Sequence, residues 1–264
     1  MAEQGNPWQR FLARPNGDRL KTAGIALLVA LSCGLAVSGT AVLLRPQIQA
    51  NVMAERQALM SAMLANLPGI GDILEEAGAD AVEIIVVDLD AGTETDIDPS
   101  GFDQATMAAD PATSTALSRA EDLAGIGRRE NFAQAYRVRK DGALALLVLP
   151  IYGNGYQSTI RAYLALEADL ETVAALTVYE QGETPGLGSR ITEPGWQAQW
   201  AGKSATRDGE VVIEVVRGAA QGPYEVDGIS GASVTGYAVT DMIHFWLGPK
   251  GFGPWLDTLR RGGA

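Results

Sequence analysis

Charged side chains disappear between Lys21 and Arg45: Thr22 to Leu44 is an uninterrupted run of 23 uncharged, mostly apolar residues. As a helix rising about 1.5 Å per residue, it exceeds the roughly 30 Å hydrocarbon thickness of a bilayer. The pattern predicts a transmembrane helix over 22–44. A cleaved signal peptide usually has an apolar region about half as long. Ala30-Leu31-Ser32-Cys33 only loosely suggests a lipoprotein cleavage site, and the apolar run continues past it. With no ionisable side chain inside, the span reads as an anchor rather than an ion path. Beyond Pro46, Val52, Met53, Leu59, Met60, Met63, Leu64 and Leu67 follow helical spacing as far as Pro68-Gly69, which predicts a helix leading away from the membrane.

The pattern then shortens to strands. Glu83 to Leu89 is β-branched and ends at Asp90-Ala91-Gly92, which predicts a buried strand. Thr93 to Ser118, rich in Thr, Asp, Ala and Pro, predicts an irregular surface excursion. Gln134–Arg139 and Ala143–Tyr152 flank Lys140-Asp141-Gly142, a hairpin signal. Thr159–Leu166 and Ala174–Glu180 form a second such pair, and Val211–Val216 predicts a further short strand. Gly153 and Gly155 fit a bend after a strand, and Trp196 and Trp200, four apart, a packing stripe.

Gly236 to Leu247 places Val239, Met242, Ile243, Trp246 and Leu247 on one helical stripe, and Gly248-Pro249 ends it. Tyr237, Thr240, Asp241 and His244 fall on the other face, where His244 gains a favourable dipole interaction or simple solvation. These elements predict an α+β fold: a single N-terminal transmembrane helix followed by a mostly antiparallel sheet packed with helices.

Charge sharpens this picture. The chain has 20 basic and 32 acidic side chains, of which residues 1–45 hold five and two. The N-terminal part is therefore +3 and the remainder −15. The basic residues before the span put 1–21 in the cytoplasm, and 45–264 then form a periplasmic domain at the inner membrane of a Gram-negative cell. An acidic body of this kind excludes nucleic acid as a partner. Cys33 is the only cysteine and His244 the only histidine, so no cysteine metal site and no histidine cluster can form. No Gly-x-Gly-x-x-Gly opens a helix after a strand, so a dinucleotide must be handled elsewhere.

Candidate chemistry lies in Asp227-Gly228-Ile229-Ser230-Gly231-Ala232-Ser233-Val234-Thr235, just before the amphipathic helix. Six of those nine side chains are Gly, Ala, Ser or Thr, so the backbone is accessible where the first helical N–H groups can face a phosphate. The plainer alternative is a small-residue turn with Ser233 or Thr235 as helix N-cap. A second stretch, Glu183-Thr184-Pro185-Gly186-Leu187-Gly188, joins a proline-stiffened turn to two glycines and an apolar side chain that can lie on a ring. Its plainer alternative is a glycine-rich loop with Thr184 satisfying its own backbone.

The pattern Asp-x-x-Ser-Gly-Ala-Ser/Thr resembles the signal at which a flavin transferase links FMN, through its phosphate, to the last hydroxyl, here Ser233. Several stretches together resemble the C subunit of the sodium-pumping NADH:quinone oxidoreductase, over most of the chain. They are Asp18 to Thr22 with Leu44 to Gln47 around the span, Asp122 to Ile126 with Arg128-Arg129, Leu149 to Gly155, Glu180 to Gly188 and Asp227 to Ser233. Glu180 to Gly188 is the most specific, being shared by the wider family of covalent FMN-binding domains. The family usually has threonine where Ser233 stands, although the signal also has a serine form. Before Ser158 the family often has tryptophan, where this chain has Gln157 beside Tyr156.

The resemblance implies covalent FMN at Ser233, with Glu183, Thr184, Leu187, Gly188, Ser230, Gly231, Ala232 and Thr235 around it and Asp227 in the recognition signal of an FAD-using transferase. It implies no catalytic residue and no metal ligand on this chain. The partners it implies are the other subunits of a membrane complex that oxidises NADH, reduces ubiquinone and exports sodium. The G subunit of the Rnf ferredoxin:NAD complex shares both flavin motifs, but the long region holding Asp122–Arg129 and Leu149–Gly155 favours the quinone reductase. An interaction module whose Ser233 is never modified is the alternative of a different class.

Overall fold

The computed structural model describes residues 6–65, 81–99 and 102–262. The chain divides into two units, Met1–Ala62 and Met63–Ala264. The first holds a short helix α1 (Pro7–Leu12) and most of a long helix α2 (Arg19–Ala65). Arg19–Thr40 is long and apolar enough to cross a membrane, and none of that window is buried. The two predicted helices are one, because α2 runs through Pro46 without a break. The stop at Pro68-Gly69 lies outside the described residues.

The second unit is built on a seven-stranded antiparallel sheet. Its strands are β1 (Ala81–Asp88), β2 (Thr93–Thr95), β5 (Phe132–Lys140), β6 (Ala143–Asn154), β7 (Thr159–Glu167), β8 (Thr172–Glu180) and β9 (Lys203–Ser204). They lie in the order β2-β1-β5-β6-β7-β8-β9. Both expected hairpins form, the first turning at Asp141-Gly142 with φ of 52° and 78°. A separate pair, β3 (Ser114–Ala116) and β4 (Arg128–Glu130), and a helix α3 (Gln104–Ala109) occupy the intervening segment. The expectation of an irregular excursion over Thr93–Ser118 is therefore corrected. Its polar side chains make the local turns that cap these short elements, such as Thr106 on Asp103 at 2.7 Å, and so mask them from periodicity.

The expected strand Val211–Val216 is also corrected. It divides into β11 (Glu210–Val211), a hairpin partner of β10 (Thr206–Arg207), and β12 (Glu214–Val215), which pairs in parallel with β13 (Glu225–Val226). Between them the buried Ile213 turns into the core, so one apolar run serves two directions.

One face of the main sheet carries Ile85, Val87, Ala133, Ala135, Leu147, Leu149, Ile151, Ala162, Leu164, Leu176 and Val178, all buried. A one-turn helix, α4 (Pro194–Gln197), adds Trp196 to this core. Helix α5 (Ser233–Leu247) lies on the sheet, with the predicted stripe of Val239, Met242, Ile243 and Trp246 fully buried. Gly153, inside β6 rather than beyond it, lets the helix approach: a Cβ there would meet Met242 Cβ at 3.1 Å. Trp246 Nε1 donates to the Tyr152 carbonyl at 2.7 Å, fixing the helix against the same strand. The other face of α5 is not simply solvated. Thr240 Oγ1 accepts from Val215 N at 2.9 Å, and His244 Nε2 bonds the Ile213 carbonyl at 2.8 Å, so β12 is docked onto the helix by its polar side. His244, in the last turn where the dipole interaction was expected, thus also holds a neighbouring strand. After Gly248, helix α6 (Gly253–Gly262) closes the core with Trp255 and Leu256.

Candidate functional site

Helix α5 begins at Ser233, and the residue before it, Ala232, provides no side-chain cap. Neither Ser233 nor Thr235 is the N-cap, which corrects the plainer alternative. Helical bonding starts with Gly236 N on the Ala232 carbonyl at 3.0 Å. Among the described residues, the N–H groups of Ser233, Val234 and Thr235 have no acceptor. These are donors that an uncapped helix leaves for an outside group. Ser233 is exposed beside them and lines a cavity of about 290 Å³ with Val216, Arg217, Gly218, Ser230 and Tyr237.

The hydroxyls of the motif are not equivalent. Thr235 is 3% exposed and donates to Glu183 Oε2 at 2.6 Å, whereas Ser230 and Ser233 are open to solvent. Thr235 is therefore a structural link between α5 and the loop after β8. Glu183 is the centre of that link. At 4% exposure its carboxylate accepts from Thr235 and from the backbone N–H groups of Tyr156, Gln157 and Ser158, at 3.2, 2.9 and 3.2 Å. Burial pushes its carboxyl up, but the bonds from Thr235, Gln157, Tyr156 and Ser158 outweigh that and hold it below the ordinary glutamate value. Gly155 and Gly188 make this possible. A Cβ on Gly155 would meet Glu183 Oε1 at 2.5 Å, and one on Gly188 would meet Thr235 Oγ1 at 2.6 Å.

The structure thus brings three distant stretches together, 155–158, 183–188 and 230–235, with Glu183 turned inward among them. Leu187 reaches the motif from the other side. It is 41% exposed, and a Cβ on Gly231 would meet its Cδ2 at 3.0 Å. Thr184 is half-buried, and its carbonyl accepts from Leu187 N and Ser189 N. Asp227 ties the turn: its carboxylate accepts from Ala220 N at 2.7 Å, its N–H donates to Gln199, and its carbonyl accepts from Trp196 Nε1 at 2.9 Å. Trp196 and Trp200 pack edge to face at 5.6 Å, as the stripe predicted.

Sequence reasoning reached Gly155, Tyr156 and Gln157 through the resemblance but missed the 155–158 loop as the partner of Glu183, and it missed Arg217. The spacing to Glu183 carries no signal for the first, and a lone arginine before a glycine carries none for the second. The stretch Asp122–Arg129 proves architectural. Asp122 accepts from Ile126 N and Gly127 N at 2.8 Å, the Ala124 carbonyl accepts from Asn154 N at 2.7 Å, and the buried Arg129 binds Asp90, Lys250 O and Glu130 O.

Residues 155–248, which hold the whole site, match the FMN-binding domain family. The fold and the match define an FMN-binding-domain protein on an apolar N-terminal helix. The chain is 40% identical to the C subunit of the Na(+)-translocating NADH-quinone reductase of Pseudomonas aeruginosa, covering 92% of this chain and 97% of that one. It is 39% identical to the C subunit of the Vibrio alginolyticus reductase, covering 95% and 99%. The crystal structure of Shewanella oneidensis NqrC superposes with a TM-score of 0.66 at 34% identity, over 79% of this chain and 97% of that one. This chain belongs to the family formed by the C subunits of the Na(+)-translocating NADH-quinone reductases.

Proposed function

We propose that this chain carries FMN covalently, as a phosphoester on Ser233, and relays electrons within a membrane complex that couples NADH oxidation and quinone reduction to sodium export. The observation that carries the reading is Ser233 itself: an exposed hydroxyl at the first residue of α5, beside three N–H groups without acceptors, inside the matched FMN-binding region. The residues fit the group. A phosphate at Ser233 faces helix N–H donors and an arginine, and Leu187 offers an apolar surface next to Gly231. Bound FMN supplies a ring that accepts one or two electrons. The protein supplies the anchor at Ser233, the small residues Ser230, Gly231 and Ala232 that give a transferase access, and Thr184, Leu187 and Gly188 toward the ring. Glu183 and Thr235 act through position: they hold α5, the 155–158 loop and the 183–188 loop together. Asp227 holds the turn in which the transferase signal is presented.

Helix 22–44 is proposed as the single membrane anchor, with 1–21 cytoplasmic and 45–264 periplasmic. NADH and sodium are then handled by other subunits, and a transferase using FAD matures this one. The test is intact-protein and peptide mass of the chain from native membranes, with in-gel flavin fluorescence. FMN is expected on the peptide holding Ser233, and Ser233→Ala is expected to abolish it, while Ser230→Ala leaves the linkage in place. Fluorescence that survives in Ser233→Ala and is lost in Thr235→Ala overturns the assignment.

A further inference from the structure

Arg217 lies in the loop between β12 and β13 and contributes the only charged side chain among the described residues lining the cavity beside Ser233. Its guanidinium carbon lies 5.6 Å from the centre of the Tyr237 ring, a cation–π contact that steadies a long side chain. Tyr237, 42% exposed, stands four residues after Ser233 on α5 and hence on the same face of the helix. Among the described residues no carboxylate pairs with Arg217, although the chain after residue 45 carries a net −15. Asp227, on the turn that leads into the motif, has its carboxylate engaged by Ala220 N at 2.7 Å. A steadied cation without a counter-ion therefore shares one cavity with an exposed hydroxyl and the open N–H groups of a helix start. Guanidinium and helix N–H groups both recognise phosphate oxygens.

Resting on the attachment proposed above, we infer that Arg217 is the phosphate-recognising residue of this site, pairing with the phosphodiester that joins FMN to Ser233. In the transfer that makes it, Ser233 Oγ bonds to the flavin-side phosphorus of FAD and the pyrophosphate P–O bond breaks. AMP leaves with the bonding electron pair, and the hydroxyl proton passes to solvent. The phosphodiester carries one negative charge, which the helix N–H groups stabilise only partly. Arg217 supplies the full opposite charge. Tyr237 keeps the guanidinium at the cavity before any flavin arrives, so less side-chain freedom is lost on pairing.

The experiment uses the full-length chain in membranes with the transferase and FAD, comparing wild type, Arg217→Gln and Arg217→Lys. Incorporation rates are read by intact mass, and the phosphodiester by 31P resonance in the loaded proteins. Arg217→Gln is expected to slow incorporation roughly two- to fivefold at about 0.05 M salt, the difference closing near about 1 M, where screening acts over roughly 3 Å. Arg217→Lys should stay within about twofold of wild type, and the 31P resonance should move in Arg217→Gln. A glutamine variant that takes up no flavin supports the inference if lysine restores uptake and overturns it if lysine does not. An unmoved 31P resonance overturns it even where the rate falls, since the slowing would then lie in recognition by the transferase. Equal rates and resonances with FMN on Ser233 remove Arg217 alone, whereas no flavin on Ser233 of the wild-type chain removes the attachment and this inference with it.

Discussion

Glu130 and Glu183 are both sealed from solvent, at 0% and 4% exposure, yet Glu130 is harder to ionise than an ordinary glutamate and Glu183 easier. Glu130, at the end of β4, accepts from the Tyr152 hydroxyl and the Gln104 amide, each at 2.5 Å. Burial dominates there, and these bonds do not overcome it. Glu183 has three backbone N–H groups and the Thr235 hydroxyl, and the donors win. The difference teaches that the charge of a carboxyl is a balance: at Glu130 desolvation outweighs the bonds it accepts, and at Glu183 the Thr235 hydroxyl and the backbone N–H groups gathered from one loop outweigh desolvation.

The largest test of this contrast removes the carboxylate. Glu183→Ala leaves three backbone donors and a hydroxyl without an acceptor, and is expected to cost roughly 3 kcal/mol in denaturant unfolding and to abolish most flavin incorporation. Glu130→Gln, which keeps an acceptor for Tyr152, should cost far less. If the two substitutions cost the same, the contrast fails. Next in size is Thr235→Val, which removes one donor while Ser233 stays in place. It is expected to cost about 1–2 kcal/mol, with FMN still linked to Ser233 by peptide mass.

The smallest effect is the pH dependence, and its sign separates the two sites. Glu183 is lowered from 4.5, so its contribution is present above that value and is lost as pH falls through the lowered one. Glu130 is raised from 4.5, so its contribution is present below that value and is lost as pH rises through the raised one. The stability gap between wild type and Glu183→Gln should therefore shrink on acidification. Glu130→Gln should gain on wild type as pH rises. Unfolding curves between about pH 2 and 8 check both, and parallel profiles would contradict the assignment.

Much of the framework was legible in the chain. The uncharged run 22–44, the Asp141-Gly142 hairpin and the stripe of α5 each follow from spacing that a helix or strand imposes on neighbours. The division of 211–216 was not, because Ile213 is apolar for a core reached through a turn rather than along a strand. Nor was the short-element segment 93–118, where polar side chains close local turns and leave no period.

At the site, the sequence by itself determined which stretches are proposed to carry chemistry. The small residues before α5 and the Thr184–Gly188 turn are local patterns, and a local pattern needs no partner to be read. Through the resemblance it singled out Ser233 among the neighbouring hydroxyls of Ser230, Ser233 and Thr235, and set Glu183 among the residues around the flavin. Only the tertiary structure gave the three hydroxyls and Glu183 different surroundings. The close approach permitted by Gly155 and Gly188 turns Glu183 inward onto the 155–158 loop and draws Thr235 into the core, while Ser233 faces outward. The physical reason is that a hydroxyl's availability depends on what packs against it, and its partner here lies 52 residues away in the chain.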